Sequence, residues 1–190
     1  MDFNTILAIL LASIFSENIA LIECLGTGAV LENERSSRRS LTLGAGTTLV
    51  MLLATLITWP LNQLLEKLNV AYLQTMAFVL VVVVLVEVIH LIAKRILDNY
   101  CRSDFVKFAI NGAVLGICIH NTEHVETLGS ALITSLAVGV GFMLTMTVYA
   151  KLKDVPVDEE AIPASFRGLP IALLTAGMMV LALLALTFNV

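Results

Sequence analysis

The sequence predicts an all-α polytopic membrane protein with six transmembrane helices. Three observations predict it. The 190-residue chain is 58% hydrophobic and only 14% charged, with a mean hydropathy of +0.94, whereas soluble domains carry about 25% charged residues. Several apolar runs approach ~20 residues, the length a helix needs to cross the hydrocarbon core. Ten of the eleven Lys and Arg residues fall in alternate connections.

The spans are expected at about 4–27, 41–60, 72–93, 105–121, 127–149 and 168–188. The first follows Asp2 with no basic residue before it and no A-x-A-like site after it, so it reads as a spanning helix and not a cleaved signal. The connections "ENERSSRR", "NQLLEKLN", "AKRILDNYCRSD", "NTEHVE" and "KLKDVPVDEEAIPASFR" are short and polar. None is long enough to separate two soluble domains, so residues 1–190 form a single membrane domain. Arg35, Arg38 and Arg39 mark the first connection. Lys94, Arg95, Arg102 and Lys107 mark the third, and Lys151, Lys153 and Arg167 the fifth; Lys67 alone lies on the other side. The positive-inside rule then places both termini outside the cytoplasmic membrane.

A repeat divides the chain. Gly28-Ala29-Val30-Leu31 recurs as Gly112-Ala113-Val114-Leu115, and a Leu-Gly follows each copy, with Gly44 16 residues after Gly28 and Gly129 17 after Gly112. Spans one to three (about 1–98) thus resemble spans four to six (about 99–190). Three is odd, so the second unit enters the membrane in the opposite direction: two inverted three-helix repeats. Such repeats hold their functional sites near the midplane on interrupted helices. Helices one and four are therefore expected to break. The bland alternative is chance recurrence in an apolar chain.

The candidate midplane site comprises Glu17, Asn18, Glu23, Gly26, Gly28, Asn111 and Gly112. Carboxylates at the bilayer centre cost ~2.5–3.5 kcal/mol and should face protein or water. Glycine permits unwound backbone, tolerated only where it lines a cavity or lies within protein. The competing role for these glycines is close helix packing. Glu87, His90 and Lys94 recur at i, i+3 and i+7, which suits a proton or cation relay through Glu87 and His90, or an interfacial cluster that snorkels. His120, Glu123, His124 and Glu126 form a polar turn more readily than a metal site. Cys24, Cys101 and Cys118 form no C-x-x-C pair, so neither a zinc site nor a disulfide framework is signalled. The net charge of −4 and the lack of a basic patch argue against a nucleic-acid partner.

"SENIALIECLGTG", "LTLGAGTTLVMLLAT", "AYLQTMAFVLVVVVLVEVIHLIAKR", "NGAVLG" and "PASFRGLPIALLTAGMMVLAL" together resemble, nearly end to end, the six-helix membrane subunits of the Rnf and Na⁺-translocating Nqr complexes, in the RnfA/NqrE branch. The resemblance implies a homologous partner subunit of the RnfE/NqrD type beside other complex subunits in the bilayer, with a homodimer as the alternative. It also implies a [2Fe–2S] cluster shared with that partner, each subunit giving two cysteines from its two helix breaks. Here both matched positions, Gly28 and Gly112, are glycine, which offers no thiolate. No cofactor is therefore expected within this chain, and Cys24 and Cys118 are the only fallback ligands; under the repeat they are not equivalent. Three functions remain open at this point. One is a subunit of an Rnf/Nqr-type ion-translocating electron-transport complex without the full cluster ligand set. Another is a derived non-redox transporter or channel subunit using the inverted-repeat cavity for an ion or small solute. The third is a purely structural assembly subunit. No nucleophile–base constellation or nucleotide loop supports an autonomous enzyme.

Overall fold

The computed structural model describes residues 37–96, 112–125, 127–153 and 163–187. Among the described residues the chain is all-helical. The helices are α1 (Ser37–Lys67), α2 (Gln74–Ile96), α3 (Gly112–His124), α4 (Leu128–Lys153) and α5 (Leu169–Thr187), with single 3₁₀ turns at Ala71–Leu73 and Ala164–Phe166. Three helical stretches are long and apolar enough to cross a membrane, Ser40–Lys67, Ala71–Ile92 and Leu128–Leu152. Leu169–Ala182 is a shorter apolar helix. The protein is polytopic. The first expected span, 4–27, lies outside the described residues.

The helices run into every one of the expected connections, furthest into the second and fourth. "NQLLEK" belongs to α1 and not to a loop. Pro60 removes one backbone donor but does not end the helix. Beyond it, strong helix formers continue, and Asn62 and Leu65 remain buried on one face. The stop comes at Asn69, whose φ of 55° is left-handed. Its N–H bonds Glu66 O at 3.0 Å and the Val70 N–H bonds Leu65 O at 3.0 Å. This is the Schellman arrangement, which satisfies the last helical carbonyls and turns the chain directly into α2. Likewise "NTEH" completes α3 where a loop was expected.

α1 and α4 form the centre and run antiparallel. A Cβ on Gly44 would lie 2.7 Å from Met143 Cγ and 2.9 Å from Met143 Cα, and one on Gly139 would strike the Thr48 side chain. Lipid supplies no hydrophobic drive between helices, so close backbone approach at small residues is what holds such a pair. α3 and α2 pack around it through Val114, Ile117, Phe78 and Val86, and Tyr149 Oη donates to Ala172 O at 3.1 Å to tie α5 to α4. These contacts bring the start of α1, the end of α2, the end of α4 and the start of α5 to one end of the molecule. Lys67 lies at the other.

Candidate functional site

Among the described residues, most of the buried polar side chains lie on the α1–α4 seam, with His90 on α2 apart from it. Ser40, Thr47, Thr55, Thr58 and Asn62 are all buried on α1. From Ser40 to Asn62 is ~33 Å of helix, close to the thickness of the hydrocarbon core. Facing them are Thr134, Ser135 and Thr145 on α4 and Asn121 on α3, also buried.

Some of these hydroxyls are satisfied locally. Thr47 Oγ1 donates to Leu43 O at 2.9 Å and Thr58 Oγ1 to Ala54 O at 2.8 Å, the back-bonding to the preceding turn that serine and threonine make inside helices. One group is different because it joins three helices. Ser135 Oγ donates to Ala131 O at 2.8 Å, and Thr55 Oγ1 lies 2.7 Å from Ser135 Oγ. The Asn121 amide nitrogen reaches Ser135 Oγ at 2.7 Å, and Thr55 Oγ1 and Ala131 O each at 3.3 Å. Asn121 is 1% exposed, and its Oδ1 accepts no hydrogen bond. A buried acceptor left so costs about 1–3 kcal/mol. Cys118, one turn earlier on α3, is buried with its thiol bonded to the Thr58 and Thr55 side chains.

The sequence-predicted residues are distributed differently. Glu17, Asn18, Glu23, Gly26, Gly28, Asn111 and Cys24 lie outside the described residues. Gly112 is the first residue of α3 and exposed. Glu87 and His90, one turn apart on α2, differ in burial: Glu87 is exposed on a face with Leu80, Val84 and Leu91, whereas His90 is 3% exposed. His120 and His124 stack with ring centroids 4.7 Å apart. No group of three or more metal-ligating side chains occurs among the described residues. Sequence reasoning missed Asn121, Thr55 and Ser135. The available signal was the recurrence of Ser40, Thr47, Thr55, Thr58 and Asn62 at helical spacing.

Residues 6–190 match the family described as Rnf-Nqr subunit, membrane protein. This chain belongs to the Rnf-Nqr family. Among curated relatives of this family member, the A subunit of the Na⁺-translocating ferredoxin:NAD⁺ oxidoreductase complex of Acetobacterium woodii is 30% identical over 184 residues, 95% of each chain. The A subunit of the ion-translocating oxidoreductase complex of Syntrophotalea carbinolica is 32% identical over 94% of each chain, and that of Sodalis glossinidius 29% over 97% of each. Gly112 stands at the start of α3 with no ligand atom, and the Cys118 thiol lies six residues further on, engaged with two threonines.

Proposed function

We propose that the chain is the A-type membrane subunit of an ion-translocating oxidoreductase complex. It lies in the cytoplasmic membrane as six helices in two inverted repeats, with both termini outside. It pairs with a homologous membrane protein of the complex and docks the remaining subunits. The carrying observation is the match of nearly the whole chain to relatives that are themselves named as the A subunit of such complexes. The antiparallel α1–α4 pair, formed by the second helix of each repeat, supports the inverted arrangement. The clustering of basic helix ends at one end, with Lys67 opposite, supports the orientation. The relatives' names favour this reading over a non-redox transporter or channel.

Gly28 and Gly112 supply no ligand to a shared [2Fe–2S] cluster, and this chain's contribution to the complex is structural and ion-facing. The test is isolation of the tagged chain from its native membrane in mild detergent. Co-purification of flavin- and iron-containing subunits is expected. A chain that elutes only with itself would overturn the reading.

A further inference from the structure

A polar turn would leave His120 and His124 without fixed geometry, but α3 continues through His124. Residues at i and i+4 share one face of a helix. The two rings stack, with centroids 4.7 Å apart and planes 18° from parallel. His124 is exposed and His120 half-buried. His124 Nδ1 lies 3.3 Å from His120 O. A carbonyl only accepts, so Nδ1 carries the hydrogen, and in the neutral ring Nε2 keeps a lone pair. Histidines that ligate metals are held in this way, one ring nitrogen donating to a carbonyl or carboxylate and the other bare. The chain has three histidines, and the one outside this pair, His90, is 3% exposed.

We propose that His120 and His124 chelate a divalent late transition ion, Cu²⁺ ahead of Zn²⁺, at the Lys67 end of the bundle. Two histidines at i and i+4 on a helix are a known chelate for such ions. Two nitrogens bound to one ion at about 2.0–2.1 Å lie roughly 3.3 Å apart. Rings already 4.7 Å apart reach that separation by a small side-chain rotation. Imidazole suits copper, nickel and zinc, and copper binds most tightly in that series. Glu123 is exposed between the two histidines in sequence and adds negative charge beside them. The described residues hold no group of three metal ligands, so water completes the shell and the ion stays exchangeable.

The effect on the fold follows from the residues between the ligands. Asn121 ties α3 to α1 and α4, and Thr122 Oγ1 accepts from Gln74 Nε2 at 2.8 Å at the start of α2. A clip across His120 and His124 fixes the helical turn that carries both, and so fastens this end of the bundle. The orientation proposed above decides only the side from which the ion arrives; binding itself does not depend on it.

The competing role for the pair is to close the helix, since histidine near a C-terminus interacts favourably with the last carbonyls. The test separates the two. The full chain, purified in mild detergent with a histidine-free tag and its accessible thiols alkylated, is titrated with CuCl₂, ZnCl₂ or MgCl₂. Binding of one Cu²⁺ per chain is expected, with a paramagnetic resonance spectrum split by two nitrogens. Cu²⁺ and Zn²⁺ should raise the melting temperature, and Mg²⁺, an oxygen-seeking ion, should not. Losing even a hydrogen-bonding neighbour of a metal ligand costs about 10–100-fold in affinity, so His120→Gln and His124→Gln should each weaken Cu²⁺ binding at least about tenfold. Glu123→Gln, which removes charge and no ligand, should weaken it less than either. A spectrum with one nitrogen or none, or binding that survives both histidine variants, would overturn the site. Variants that melt lower beside a parent chain that ignores Cu²⁺ and Zn²⁺ would show that the stack serves only the helix end. Tighter binding of Zn²⁺ than of Cu²⁺ would overturn the order of the two ions.

Discussion

The pairs α1/α4 and α2/α5 occupy the second and third places of the two sequence repeats, yet they are built in opposite ways. α1 and α4 carry most of the buried serines and threonines, and they form the centre. α2 is nearly continuous valine and leucine, and it turns Met76, Leu80, Val84 and Leu91 outward; α5 likewise exposes Leu173, Leu174, Met178 and Leu181. The least apolar helices are inside and the most apolar outside. A soluble protein sorts the other way, because water rewards burial of carbon. In a bilayer the tails are as apolar as leucine, so helices meet through small residues and hydrogen bonds.

That contrast is open to attack, and the sharpest attack is on topology. Single cysteines at Glu123 and Lys151, in a background free of native cysteines, should label from opposite faces of the membrane; labelling from one face would dissolve the antiparallel pair. Next in size is the seam itself. Gly139→Val drives a side chain into Thr48 and should cost about 3 kcal/mol or more in a detergent melt, whereas Gly177→Ala on α5, where a Cβ meets nothing within 4 Å, should be neutral or stabilising by up to about 1 kcal/mol. Equal effects would mean that α5 is packed as tightly as the seam.

A smaller effect is expected from Asn121→Leu. It removes the cross-helix bonds and should destabilise by about 1–3 kcal/mol. The finest comparison lies within α2. His90→Leu, at a buried position, should lower stability by about 1–3 kcal/mol, while Glu87→Leu, on the outer face, should stay within about 0.5 kcal/mol in the isolated chain. If Glu87→Leu leaves that chain intact but weakens co-purification, the outer face of α2 is a protein contact and not a lipid face.

Much of the helical layout was legible in the chain. Hydropathy and length located the four helices α1, α2, α4 and α5, because an apolar run of that length has few other uses. Their ends were less legible. Polar "NQLLEK" and "NTEH" read as loops, since the residues that bury Asn62 and Asn121 sit on other helices. The repeat matched Gly44 with Gly129, but only Gly44 meets a neighbour, Met143. Sequence likeness records a shared local backbone need and is blind to what packs against it. The Asn121 cluster was the least legible. Asn121 and Ser135 lie 66 and 80 residues from Thr55, and serine or threonine in an apolar run carries no mark of the partner it will find. Glu17, Glu23 and Gly28 fall outside the described residues.

The turn at Asn69 reaches beyond the folded state. With α1 and α2 joined by so short a link, ribosomal synthesis delivers them to the translocation channel almost as one object. α1, interrupted by threonines, an asparagine and a proline, partitions into lipid weakly by itself. α2 gains roughly 0.3–0.6 kcal/mol from each Val, Leu or Ile near its centre. The hairpin thus lets the strong inserter carry the weak one across, and nascent chains that stop before Gln74 should leave α1 stranded in the channel or on its surface, exposed to membrane quality control.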